Sequence, residues 1–163
     1  MSYSLQPAYQ PFPNYNSYVA ELVSGTVYVP YTCTLVRGGP EFILYIDTLL
    51  AKIRISKITG ILALIYCDRL RCRLPSNACG SSDTLYQVYT ASLLVACKHL
   101  GEKFTIKDFA MASGLYTLKD MVRMEFELLQ MLDYHTWVSD NEIQGFFDDN
   151  RDGLTSVCIP KDI

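Results

Sequence analysis

Between Thr84 and Gly101 the chain reads TLYQVYTASLLVACKHLG, and no other stretch constrains the fold as tightly. Leu85, Tyr86, Val88, Tyr89, Leu93, Leu94, Val95, Cys97 and Leu100 point in every direction around a helical wheel. A helix that is apolar on all sides is buried among other helices rather than laid on a surface. Ala91, Ser92 and Ala96 are small and let neighbouring helices approach closely at its middle. Ser81, Ser82 and Asp83 offer N-cap oxygens, and Gly101 suits the left-handed position beyond the C-terminus. Lys98 is the one strong charge on the later half. The stretch therefore predicts the central helix of an all-α domain.

Helices are predicted on both sides of it. From Glu41, Phe42, Ile43, Ile46, Leu49, Leu50 and Ile53 repeat at threes and fours, giving an amphipathic helix that ends near Ile55. Ser56 caps a second helix, which runs through ILALIYCDRLRCRL to a stop at Leu74-Pro75. Thr105 and Asp108 form a capping box for a fourth helix that ends at Ser113-Gly114. Thr117 and Asp120 form another and open a fifth, Leu118 to about Leu132. Ser139 and Glu142 make a third box, ahead of a short helix around Ile143 to Phe147. Five helices on short connections, the third buried on every side, make an orthogonal helical bundle. The expected organisation is an N-terminal arm over residues 1–40, the bundle over 41–140, and a short helix and tail over 141–163.

The arm holds five of the seven prolines and six of the twelve tyrosines. Pro7, Pro11 and Pro13 forbid an early helix, while Asn16 to Val23 suits a short one. So uncharged and aromatic a segment is expected to lie against the domain or against a partner.

Composition excludes several function classes. A net charge of -3 gives no basic face for phosphate, so nucleic acid is not the expected partner. The longest apolar run, Ile58 to Cys67, ends at Asp68 and Arg69, too short to span a bilayer. The N-terminus has no hydrophobic secretory segment, so an intracellular protein of the nucleus or cytoplasm is expected. None of the six cysteines (33, 67, 72, 79, 97, 158) forms a CxxC, and His99 and His135 do not complete a zinc quartet. Reduced structural cysteines, no metal and no cofactor are expected.

Other motif-like strings carry little. DDNRDG (148–153) matches the first half of a calcium loop, but its twelfth position is Ile159 rather than a bidentate glutamate. RCRL (71–74) has the form of a destruction-box core, yet Leu74 closes a packed helix. Cys97 and His99 are two apart on a helix and point away from each other, so they are no nucleophile–base pair. Gly38-Gly39 lacks the GK[ST] ending of a phosphate loop. No catalytic set is present.

The chemistry instead gathers on two charges. In the fifth helix the apolar stripe runs Leu118, Val122, Glu125, Leu129, Leu132, which places Glu125 on the apolar face. A carboxylate there must be paired or must face a partner, because burying it alone is costly. Lys98 has the same problem. Two readings stand: a Lys98–Glu125 pair that only fixes the packing, or two groups that reach a second protein.

YCDRL (66–70), TASLLVACKHL (90–100) and MEFELLQMLDY (124–134), in this order and at these separations, resemble the cyclin box over about residues 42–140. The likeness is to small single-box cyclins of the P/U type, which include the fungal phosphate-sensing and Pcl groups, and it extends through GLYTLKDMVRMEFELLQMLDY. The resemblance implies a non-catalytic regulatory subunit that binds and allosterically activates a cyclin-dependent kinase. It implies that Lys98 and Glu125 hydrogen-bond the kinase backbone beside its regulatory helix, and that His99, Leu129 and Tyr134 pack on that helix. It gives Asp68 a structural place, paired in many cyclins with an arginine of the first helix. Here that helix, EFILYIDTLLAKIRIS, offers only Arg54 at its far end. The MRAIL docking sequence of the cell-cycle cyclins is missing as well. The alternative is a scaffold of the same fold in a transcription-type complex, without kinase activation; it would carry a basic face.

Overall fold

The computed structural model describes residues 40–150 apart from Ser76 and Ser82. The expected arm therefore lies almost wholly outside the described residues, as do the tail, the last half of DDNRDG, and Cys33 and Cys158. Within them the chain forms six α-helices and no strand: α1 (Pro40–Lys52), α2 (Lys57–Arg73), α3 (Thr84–His99), α4 (Ile106–Ser113), α5 (Leu118–Met131) and α6 (Asp140–Asp149).

Central position belongs to α3, which packs on α2, α4 and α5. Its residues from Tyr89 to Cys97 are buried without interruption. The hydroxyl-sized side chains at its middle allow close approach, with the Cys67 thiol of α2 at 3.4 Å from Ser92 Oγ. The C-terminus closes as a Schellman motif. Glu102 N–H donates to Cys97 O at 2.9 Å, Gly101 N–H donates to Lys98 O at 3.2 Å, and Gly101 sits at φ 67°. At the other end Asp83 makes no side-chain cap. Instead Ser81 N–H donates to Thr84 Oγ1 at 2.8 Å.

α1 lays Phe42, Ile46, Leu49, Leu50 and Ile53 into the core. It ends at Lys52, three residues short of the expected stop, although Ile53 N–H still donates to Leu49 O at 2.9 Å. The Tyr45 and Thr90 hydroxyls, 2.6 Å apart, tie α1 to α3, and Phe42 meets Tyr86 edge-on at 4.9 Å between ring centres. Lys52 Nζ donates to Ala112 O at 3.2 Å and so satisfies a carbonyl at the end of α4.

The start of α2 is capped twice. Ser56 Oγ accepts from Thr59 N–H at 3.3 Å, as its sequence position predicts. Glu102, just past α3, also accepts from Ser56 N–H at 3.0 Å and from the buried Thr59 hydroxyl. Partial burial alone would raise the Glu102 pKa, but these hydrogen bonds outweigh it and hold the carboxyl below its ordinary value. A depressed carboxylate pKa favours the folded state above the unfolded pKa, and that contribution is lost as pH falls through the folded one.

Both expected capping boxes of α4 and α5 form, with Thr105 and Asp108 in one and Thr117 and Asp120 in the other. The third is only half made. Ser139 Oγ accepts from Glu142 N–H at 3.2 Å, but the Glu142 carboxylate turns to Arg69. α6 is also longer than the Ile143–Phe147 expected; it packs on α2 and seats Ile143, Phe146 and Phe147 against the core. Cys67 and Cys97 are free and buried, and burial pushes both thiols up to about 12, which leaves them inert. No helix among the described residues is long and apolar enough to cross a membrane.

Candidate protein-docking surface

The outward side of α5 differs from the expected one. Met121, Met124 and Leu128, at spacings of three and four, face the core together with Leu132. Leu118 and Val122, the first two members of the expected core stripe, are instead 52% and 50% exposed, and Phe126 is 52% exposed beside them. α5 thus has two apolar rows about a third of a turn apart, and the methionine row is the buried one. Leu129, half-buried, lies in line with the outward row. Met111 and Leu115, at the end of α4 and in the turn that follows, are exposed as well.

One ion pair stands in this row. Lys98 Nζ donates to Glu125 Oε1 at 2.6 Å and to Oε2 at 2.8 Å, joining the end of α3 to the middle of α5. The Glu125 side chain is 13% exposed and that of Lys98 42%. His99 and Leu100, next along from Lys98, are exposed too. With its lysine this open to water, the pair adds on the order of 1 kcal/mol to the fold. Exposed apolar residues thus surround a partly desolvated pair, a composition that suits protein docking.

At the end of α5 the chain turns sharply. Tyr134 N–H donates to Leu129 O at 2.8 Å, and Asp133 and Tyr134 both adopt the left-handed region, at φ 52° and 56°. Non-glycine residues held there cost roughly 1–2 kcal/mol each. The neighbouring structure enforces the turn. Arg69 of α2 donates to His135 O at 2.7 Å and Trp137 O at 2.8 Å, and grips both carboxylate oxygens of Glu142 at 2.8 and 2.9 Å. Tyr66, whose phenol burial raises to about 12 and so keeps protonated, donates to Thr136 O at 2.7 Å. Three successive carbonyls are therefore fixed from α2.

The family model for the cyclin N-terminal domain matches residues 40–136. The chain belongs to the cyclin family. It is 27% identical to PHO85 cyclin-1 of Saccharomyces cerevisiae over 106 residues, which cover 64% of this chain and 38% of that protein. It is 23% identical to PHO85 cyclin-2 of the same yeast over 131 residues, covering 77% of this chain and 42% of that protein. The chain thus spans well under half the length of these curated relatives. No solved structure matches it significantly.

In this cyclin the structure brings Lys98 and Glu125 into direct contact and sets His99, exposed, next to Lys98. It places Leu129 one turn beyond Glu125 and Tyr134, 59% exposed, just past the helix end. Asp68 behaves differently from the pattern that the cyclin resemblance implies. Arg71, on its own helix, donates to it at 2.6 and 3.1 Å, and among the described residues no α1 arginine reaches it. The cause is sequence: Arg54 lies beyond the end of α1, and Arg71 stands one turn from Asp68. Among the described residues no cluster of three or more His, Cys, Asp or Glu side chains could hold a metal ion. Phe126 and Trp137 were the surface residues that sequence reasoning missed. Phe126 follows Val122 by four residues, a spacing that continues an outward row as readily as an inward one.

Proposed function

We propose that this cyclin binds a cyclin-dependent protein kinase of the PHO85 type and activates it allosterically, with no catalysis of its own. The observation that carries the reading is the Lys98–Glu125 pair set among the exposed Leu118, Val122 and Phe126 of α5. The names of the two yeast relatives, both cyclins of PHO85, support the choice of kinase. In the complex, Lys98 donates to and Glu125 accepts from the kinase backbone beside its regulatory helix. His99, Leu129 and Tyr134 pack on that helix and hold it inward, completing the kinase's own Lys–Glu pair. Activation requires that this surface prefer the inward helix, since equal affinity for both arrangements shifts nothing. The complex would work where such a kinase works, in the nucleus or cytoplasm.

Calorimetric titration of a purified PHO85-type kinase with the full chain tests the binding step. Saturation at one cyclin per kinase is expected. Absence of any binding heat across temperatures, with both proteins folded, would end this reading.

A further inference from the structure

Trp137 is the chain's single tryptophan and, at 73% exposure, the most open of its large apolar side chains among the described residues. Its backbone is anything but loose. Arg69 holds its carbonyl, Val138 beside it is buried, and the two left-handed residues Asp133 and Tyr134 fix the direction in which the turn leaves α5. The fold therefore rigidifies a segment whose largest side chain it does not use. The turn flanks an open groove of about 620 Å3 against the end of α2, lined by Arg69, Cys72 and Arg73 as well as Tyr134 and Trp137. A rigidly presented aromatic side chain has little conformational entropy left to lose on binding, and such residues supply the anchors of interfaces.

The position of the turn names its occupant. Tyr134, 59% exposed, closes the end of α5 through its bond to Leu129, the residue one turn beyond Glu125, and shares the lining of the groove with Trp137. A kinase seated on Glu125 and Leu129 meets Tyr134 next and then Trp137. We infer that the Tyr134–Trp137 turn is a second anchor for the same kinase, with the Trp137 indole seated in an apolar depression of the kinase surface and its N–H on an acceptor at the rim. This rests on the docking proposed above. Lys98 and Glu125 then supply backbone recognition, and Trp137 supplies affinity and the choice among kinases that share that backbone.

A single tryptophan makes the test direct. The full chain with 5-fluorotryptophan in place of tryptophan gives one fluorine resonance, which reports Trp137 alone during titration with unlabelled kinase. The resonance is expected to shift or broaden with the same stoichiometry as the binding heat. Trp137→Ala is expected to weaken affinity about thirtyfold with unchanged melting temperature. A resonance unmoved while calorimetry shows binding, or a Trp137→Ala variant of wild-type affinity, overturns the second anchor and leaves the kinase reading standing. Absence of binding heat overturns both.

Discussion

Glu125→Ala is expected to weaken kinase binding by tens- to thousands-fold while leaving the isolated cyclin folded. Removing one member of a hydrogen-bonded charge contact that a partner buries costs about 2–5 kcal/mol, much of it the penalty on the group left unpaired. In the free chain the same carboxylate touches Lys98 at 2.6 Å, with the lysine 42% exposed. Losing that contact alone lowers stability by on the order of 1 kcal/mol. Lys98→Ala should lose affinity likewise, but the melting comparison is read on Glu125→Ala, because removing the lysine leaves the 13%-exposed Glu125 carboxylate without its partner. The two readings of the pair separate cleanly in paired melting and affinity measurements. A docking pair loses affinity with a nearly constant melting temperature; a packing device loses both together. Variants that keep wild-type affinity would remove the pair from the interface.

Leu93→Ala is expected to do the opposite. Leu93 is fully buried in α3, where every side of the helix meets another helix. Truncating such a leucine typically costs about 2–5 kcal/mol, because the lost transfer energy is joined by a cavity that the walls fill only in part. For a domain of this size that lowers the melting temperature on the order of 10 to 20 °C. Leu44→Ala on α1, where the side chain is 65% exposed, serves as the control and should shift it by no more than a few degrees. Similar shifts for the two variants in thermal unfolding would contradict the placement of α3 as the core of the bundle.

How far the fold is legible in the sequence follows from the range of the interactions involved. The burial of α3 could be read because apolarity all round a helix has one structural outcome. The boxes of Thr105 with Asp108 and Thr117 with Asp120 could be read because each is complete within four residues. The faces of α5 could not. Leu118 and Val122 make as good an apolar row as Met121 and Met124, and only the position of α3 decides which row is buried. Glu125 and Lys98 stood out as misplaced charges, and their contact is real, yet sequence alone could not say that the surface around them is open. The turn after α5 was the least legible part. Arg69 reaches residues 66 and 73 positions away, His135 and Glu142, and its helical neighbours give no sign of this. Glu142 likewise carried the local signal of a capping box, but a bidentate arginine competes for its carboxylate and wins.

Phosphorylation rate is the most direct measure of the central claim that this cyclin switches on a kinase. A purified PHO85-type kinase, assayed alone and then with a saturating amount of this chain, should gain activity on the order of tenfold or more. With Glu125→Ala at the same concentration the gain should be largely lost. A kinase that calorimetry shows to be fully bound, yet whose rate does not change, would contradict the account.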